Sequence, residues 1–555
     1  MMTRPFSAVC SSAQSAARRG NTELAWRSIR PATSYKNNQG GICLATNEWE
    51  RASGSRRPNV LLITADQLRS DCVGYSGRYP VQTPHLDKLA AQSAAFSHAY
   101  SHFPVCSPSR QSLLHGRRPE SFGALWNFNG ALPTAALPPS SYTWTKTLAQ
   151  NGYQLSYLGK WGVHPDYDPT AYGFDSYVSE EHYAQFQNQH YPSVSFSNGY
   201  IGETNPIPLE HSASHWFARR AADELKELAS SGKPWHMALH FSDPHLPCRP
   251  SAPFADMYHP DDIPEWEGFR DSLAGKPYIQ RQQLHSWNVA AFGWEQWAPI
   301  VARYYGLISQ LDDAIGQVIE ALDATGEAEH TIVVFTADHG DMCGSHGMMD
   351  KHYIMYDDVV RVPLLIRWPG QIKGGTACSE FVYSMLDLPP SLMEWLALED
   401  SDFPDWHGRS LAPLLGSLGI SASPRHSPAS VGGVLGQAAQ DSEHSETDAL
   451  PTHKGGGQPW RTEAVATYNG QQFGLYTQRM IRTQYWKYVW NPTDTDELYD
   501  MLGDPGELNN RIGDAQLTET LADLRARLYE ILHAAGDGAV QNPWMRRQLL
   551  EGAKL

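Results

Sequence analysis

Asn59-Val60-Leu61-Leu62-Ile63-Thr64-Ala65-Asp66 is a short run, apolar at consecutive positions and bounded by polar residues. A strand with one wet face alternates apolar and polar side chains, so an unbroken apolar run is the pattern of a strand buried on both faces. The run ends on a carboxylate, Asp66. The design recurs at Thr331-Ile332-Val333-Val334-Phe335-Thr336, which leads through Ala337 to Asp338. Two buried strands that each deliver an aspartate past their carboxyl end predict an open α/β sheet with its site along that edge, where ligands of such sheets bind.

Outward from these strands, helical periodicity covers 84–93, 141–151, 214–230 and 304–324, with Gly152 and Gly326 as stop signals. Strands alternating with helices imply a mainly parallel sheet sandwiched by helices. Short strands at 463–468, 473–477, 480–483 and 486–490, then a helix at 517–534, predict a small C-terminal α+β subdomain. The stretch 416–457, rich in Gly, Ser, Ala, His and Pro without period, separates the two. The expected organisation is a disordered leader over 1–57, a catalytic domain over 58–415 and a flexible linker or insertion over 416–459. The subdomain over 460–540 and a tail over 541–555 follow.

Composition narrows the class. A net charge of −17 argues against nonspecific affinity for nucleic acid or anionic membranes, which attract basic surfaces. No apolar run approaches the roughly 20 residues that span a bilayer. Cys10, Cys43, Cys72, Cys106, Cys248, Cys343 and Cys378 are scattered, odd in number and free of CxxC pairs, so neither a disulfide framework nor a cysteine zinc site is indicated. The leader has arginines among Ser and Ala but no continuous apolar segment ahead of a cleavage site. A cytoplasmic location is expected, with an organellar one as the alternative.

The stretch Cys106-Ser107-Pro108-Ser109-Arg110, continuing Gln111-Ser112-Leu113-Leu114-His115-Gly116-Arg117, reads as a loop entering a short helix that leaves through Gly116. Residue 106 then sits at a helix N-terminus, where backbone N–H groups and the dipole stabilise negative charge. Asp66, Gln67, Asp338 and His339 come from two strand ends and offer mainly hard donors, which suit Ca²⁺ or Mg²⁺; the imidazole admits Mn²⁺.

Cys-x-Pro-x-Arg running on to Leu-Leu-x-Gly-Arg is similar to the signature of the type I, formylglycine-dependent sulfatases of the alkaline phosphatase superfamily. Further matches follow in that family's order from 59 to 511: Thr83-Pro84-His85-Leu86-Asp87, Gly159-Lys160-Trp161, Phe241-Ser242-Asp243-Pro244-His245-Leu246-Pro247, Thr336-Ala337-Asp338-His339-Gly340, Lys351, Asp496-Glu497-Leu498-Tyr499-Asp500 and Asp504-Pro505-Gly506-Glu507. Several motifs in one order are far more specific than any one of them.

The resemblance implies a sulfuric ester hydrolase that cleaves sulfate monoesters, of small molecules or carbohydrates. It implies that Cys106 is converted to formylglycine by the formylglycine-generating machinery, with one divalent metal, usually calcium, at Asp66, Gln67, Cys106, Asp338 and His339. It further implies that Arg110 orients the hydrated aldehyde and Lys160 binds sulfate oxygens, while His245 and Lys351 bind the ester and protonate the leaving oxygen. One hydroxyl of the hydrate attacks sulfur, and the other expels sulfate.

Two positions depart from the pattern. Gly162 follows Trp161 where relatives often carry a histidine, with His164 nearby, and His115 stands where a threonine is usual. Two alternatives stay open at this level: a phosphonate or phosphate monoester hydrolase of the same superfamily, and a non-catalytic anion-binding relative that keeps the Cys106 thiol. Specificity is expected from the aromatic-rich loops 167–207 and 250–299.

Overall fold

The computed structural model describes residues 56–128, 132–398, 405–416, 459–470, 472 and 474–554. The leader, but for its last two residues, and nearly all of the linker lie outside the described residues.

Strand β1 (Asn59–Asp66) is buried at every position, and its side chains divide between the two faces. Leu61, Ile63 and Ala65 enter a cluster with residues of the helices Ala213–Ser230 and Trp294–Ala324. Val60 and Leu62 enter another with the helices Cys106–His115, Trp144–Gln150 and Leu388–Trp395. Both faces of β1 are therefore core, which is why the run carries no polar alternation.

The next strands in the chain are β2 (Ala94–Phe96), β3 (Ala99–Tyr100), β4 (Gln154–Gly159), β5 (Ser176–Ser179) and β6 (Trp235–Pro244). Strands β7 (Thr331–Ala337), β8 (Leu364–Arg367), β9 (Thr376–Cys378) and β10 (Val382–Tyr383) complete this part. The main sheet has the order β5-β4-β6-β1-β7-β8-β2-β9. Its central pairs β4–β6, β6–β1 and β1–β7 are parallel, while β8 runs antiparallel to β7 and to β2. The parallel strands align their carboxyl ends, so the segments after β1, β4, β6 and β7 converge on one edge.

The helix expected at 304–324 begins ten residues earlier, at Trp294, and runs through Pro299. A proline there removes one backbone hydrogen bond, but Trp297, Ile300 and Val301 are buried and their packing offsets the loss.

The C-terminal strands β11 (Glu463–Gly470), β12 (Tyr476–Thr483), β13 (Trp486–Trp490) and β14 (Glu497–Asp500) form an antiparallel meander. β12 is one strand where the sequence reads as two. Its interrupting Gln478 and Arg479 stay buried because Asn491 accepts from the Gln478 amide and Asp537 pairs with Arg479. Val465, Ile481 and Tyr488 face a cluster with the helix Thr518–Ala534. Ala464, Ala466, Met480 and Val489 face Tyr100, Phe103 and Val105, the segment that leads into Cys106. Residues Pro543–Glu551 form a helix whose Leu549 is buried against Leu524, Leu528 and Leu532, because its apolar face completes that cluster.

Candidate functional site

Val105 is extended and Cys106 opens the helix Cys106–His115, which ends on the left-handed Gly116. A Cβ at Gly116 would lie 1.9 Å from the Trp406 ring, so this turn needs glycine twice over. Cys106 is 4% exposed. Single ligand atoms of Asp66, Cys106, Asp338 and His339 lie within 4.8 Å of one another. His339 Nε2 stands 3.3 Å from Cys106 Sγ, 3.8 Å from Asp66 Oδ1 and 3.7 Å from Asp338 Oδ1.

Arg110 comes from one turn further along the same helix and is buried among acceptors. Its NH2 reaches Asp66 Oδ2 and Asp338 Oδ2, both at 3.0 Å, and Nε donates to Asp338 Oδ2 at 3.1 Å. NH1 donates to the Lys160 carbonyl at 3.1 Å and to His240 Nδ1 at 3.0 Å. The planar fork thus ties the ends of β1, β4, β6 and β7 together. Lys160 follows Gly159, where a Cβ would collide with the His240 carbonyl. Its Nζ lies 2.6 Å from Asp66 Oδ2 and 3.8 Å from Cys106 Sγ.

Lys351 Nζ donates to Gln67 Oε1 at 2.8 Å and to His245 Nε2 at 2.7 Å. His245 Nδ1 lies 2.6 Å from the Leu246 carbonyl, so that nitrogen carries the proton and Nε2 accepts. Cys106, Arg110, Lys160, His245 and Lys351 therefore share one site with Asp66, Gln67, Asp338 and His339.

The electrostatics follow from this packing. Burial and Asp66 push the Cys106 thiol up, but Lys160, Lys351 and His339 outweigh them and hold it well below its ordinary range. Burial pushes Cys72, Cys248, Cys343 and Cys378 all up, and the arginines near the first three do not offset it. Burial opposes the charge on Asp66, yet Lys160, His245 and Arg110 keep it ionised and its pKa well below the usual carboxylate range. Burial alone would lower His339, but Asp338 prevails and raises it to about 9.

The donor set fits a divalent cation. Arg110 takes the Oδ2 atoms of both aspartates, leaving Oδ1 on each toward the cluster. His339 Nδ1 faces the Gly340 carbonyl at 3.0 Å, which turns Nε2 inward. A spread of up to 4.8 Å is about twice a Ca–O distance of 2.3–2.6 Å. Gln67 differs from its three companions. It sits at φ 68 with its amide oxygen already accepting from Lys351, so only its second lone pair remains for a cation.

Three residues were missed in the sequence. His240 accepts from Arg110 and stacks on Tyr157, with ring centroids 4.9 Å apart. Its signal was a second histidine in β6, four residues after His236 in the stretch 235–241 that is apolar at its other positions. Asp350 accepts from Gln67 Nε2 at 3.1 Å and lies 3.4 Å from Lys351 Nζ. Asn127 Oδ1 accepts from the Ser107 N–H at 3.0 Å; nothing in the sequence marked it.

The departures also resolve. A Cβ at Gly162 would approach Arg110 Cδ to 3.2 Å, so a histidine there would crowd the fork. His164 caps its own loop, accepting from the backbone N–H groups of Asp166 and Tyr167. His115 is tied to the Tyr142 carbonyl at 2.9 Å and packs edge-on against Phe122.

Residues 58–398 match the family model described as Sulfatase. The chain is 27% identical over 501 residues to the ulvan-active sulfatase of Formosa agariphila, covering 88% of this chain and 83% of that protein. Among solved structures it resembles a chain in complex with its substrate D-glucosamine-2-N,6-O-disulfate, with a TM-score of 0.67 at 21% identity, covering 88% of this chain and 100% of the other. It also resembles the phosphonate monoester hydrolase of Agrobacterium radiobacter, with a TM-score of 0.68 at 23% identity, covering 86% and 96%.

Proposed function

The chain belongs to the sulfatase family, and from that premise we propose that it hydrolyses sulfate monoesters of carbohydrates, with a nucleophile made from Cys106. The observation that carries the reading is the placement of Cys106. It alone among the described cysteines lies at a helix start beside two lysines and a carboxylate–histidine cluster. Its Sγ marks the position that the oxygens of a formylglycine hydrate would take, and that group would supply one hydroxyl to attack sulfur and a second to expel sulfate.

Asp66, Asp338 and His339, with residue 106 and the remaining lone pair of Gln67, would hold a divalent cation that supplies Lewis acidity, calcium being the family's usual ion. Arg110 orients both carboxylates and favours their charged forms, keeping Asp66 well below the usual carboxylate range while burial and Asp66 still push Asp338 up. Lys160, ion-paired to Asp66 and partly open to solvent, reaches sulfate oxygens. Burial opposes the Lys351 charge, but Asp350 outweighs it and raises the ammonium, so Lys351 acts as a binding cation rather than an acid. His245 is then the group that would act as acid: with a second proton on Nε2 in place of the contact to Lys351, the imidazolium gives that proton to the leaving oxygen and returns to the Nδ1-protonated form.

Two outcomes follow. His245→Ala should cost about 10²–10⁴ in kcat for an alkyl sulfate, whose alkoxide needs a proton, and far less for 4-nitrophenyl sulfate. Equal losses on both substrates would remove the acid role. The second concerns the metal. With the His339 pKa raised to about 9 by Asp338, its proton stabilises the fold fully below about 6.5 and that contribution is lost as pH rises through 9. Cation uptake competes with the same proton, so calcium affinity should rise between pH 6.5 and about 9 with proton release. Titration calorimetry in buffers of different ionisation enthalpy measures this.

The phosphonate hydrolase reading shares Cys106 and the acid cluster, and matched esters separate the two. Higher kcat/KM on 4-nitrophenyl sulfate than on the phosphate or phenylphosphonate ester is expected. A clear preference for the phosphonate would reassign the enzyme.

A further inference from the structure

A cavity of about 170 Å³, room for some five or six waters, lies beside the loop that carries His245. Asp243 and Pro247, which flank His245 in sequence, form one wall. The aromatic-rich segment over 183–207 supplies another through Tyr183, Phe196 and Asn205, and Arg249 completes it.

Arg249 is the unusual member. Its guanidinium carbon stands 4.0 Å from the centroid of the Phe196 ring, which fixes the plane of the group while leaving its edge available. Its Nε is buried with no hydrogen-bond partner, and the side chain makes no ion pair among the described residues. In a chain of net charge −17, a partly buried arginine that makes no ion pair is a site for an anion from outside, because Glu203, the acid whose charge it feels, accepts instead from the Ser197 and Asn198 N–H groups. The acid in the same cavity does not take that role, because Asp243 Oδ2 accepts from the Ser214 hydroxyl. Asn205 spends its carbonyl oxygen on the Ile207 N–H, which leaves its amide N–H groups to donate.

We propose that this cavity receives a second anionic substituent, a sulfate or a carboxylate, on the sugar whose sulfate ester is presented to residue 106. This rests on the sulfate ester hydrolase reading and narrows its substrate to a sugar with two acidic groups.

The test compares wild type, Arg249→Gln and Arg249→Lys on four compounds. Glucosamine 2-N,6-O-disulfate and a sulfated uronic acid carry the second anion as sulfate and as carboxylate. N-acetylglucosamine 6-sulfate and 4-nitrophenyl sulfate lack it. Arg249→Gln should lose about 10–100-fold in kcat/KM on the doubly anionic sugar, the worth of a charge-assisted hydrogen bond, and stay within about twofold on the two controls. Arg249→Lys, which keeps the charge without the fork, should fall between. Equal loss on all four compounds, or no loss on any, overturns the proposal. Should wild type turn over no sulfate ester, the functional reading fails by itself. Calorimetric binding of the disulfate then still decides the cavity: weaker binding to Arg249→Gln upholds it, and unchanged binding overturns it.

Discussion

Cys106→Ala should lower kcat on any sulfate ester by on the order of 10⁴–10⁶, the range seen when a nucleophile acting within a concerted group is removed. It should leave the fold intact. The side chain is small, it opens a helix rather than lying in its interior, and the helix is held independently by Leu113 and Leu114 in the core and by the Gly116 turn. Thermal unfolding within a few degrees of wild type, together with lost turnover, is the expected pair of results. Mass spectrometry of the residue-106 peptide from active wild-type enzyme should show an aldehyde in place of the thiol. An active preparation that carries only the thiol would overturn the nucleophile assignment.

Arg110→Met should be the most destabilising single change at the site. It leaves Asp66 and Asp338, both wholly buried, without the cation that bridges them at 3.0 Å each. Breaking a buried charge cluster by removing one partner costs about 3–5 kcal/mol. The pH dependence gives the mechanism away. Burial opposes Asp66 ionisation and Lys160, His245 and Arg110 favour it, so its folded-state pKa is depressed. A depressed carboxylate contributes stability above its unfolded pKa of about 3.9 and loses it as pH falls through the folded value. Without Arg110 that depression shrinks and both carboxylates protonate more readily. The difference in Tm between variant and wild type should therefore hold from neutral pH down to about 4 and narrow as pH falls below that, toward the folded value of Asp66. Added calcium should narrow it as well, by supplying positive charge to the same oxygens. A Tm deficit independent of both pH and calcium would show that Arg110 matters through packing alone.

What the sequence alone determined was the local part of the design. Apolar runs without alternation identified β1 and β7 as doubly buried strands, because burial of both faces is written at every position of the strand. Asp66 and Asp338 followed from their place just past those strands, and Cys106 from a proline-led helix start with a glycine stop. Each of these signals spans fewer than a dozen residues and survives any packing of the rest.

Tertiary structure decided how side chains far apart in sequence share atoms. His240 takes an Arg110 N–H where the histidine expected after Trp161 is absent, because Gly162 lies too close to Arg110 to carry a ring. Lys351 takes the oxygen of Gln67, a residue 284 positions away, and Asp350 holds the other end of the same amide. Arg479 continues β12 where the sequence shows a polar break, because Asp537 from the far end of the subdomain accepts its charge. Arg249 packs over the Phe196 ring, a partner that no pattern along the chain marks. A charged or amide group satisfies whichever partner the folded chain brings within about 3 Å, and that neighbour is set by the assembly of sheet, loops and subdomain rather than by any pattern along the chain.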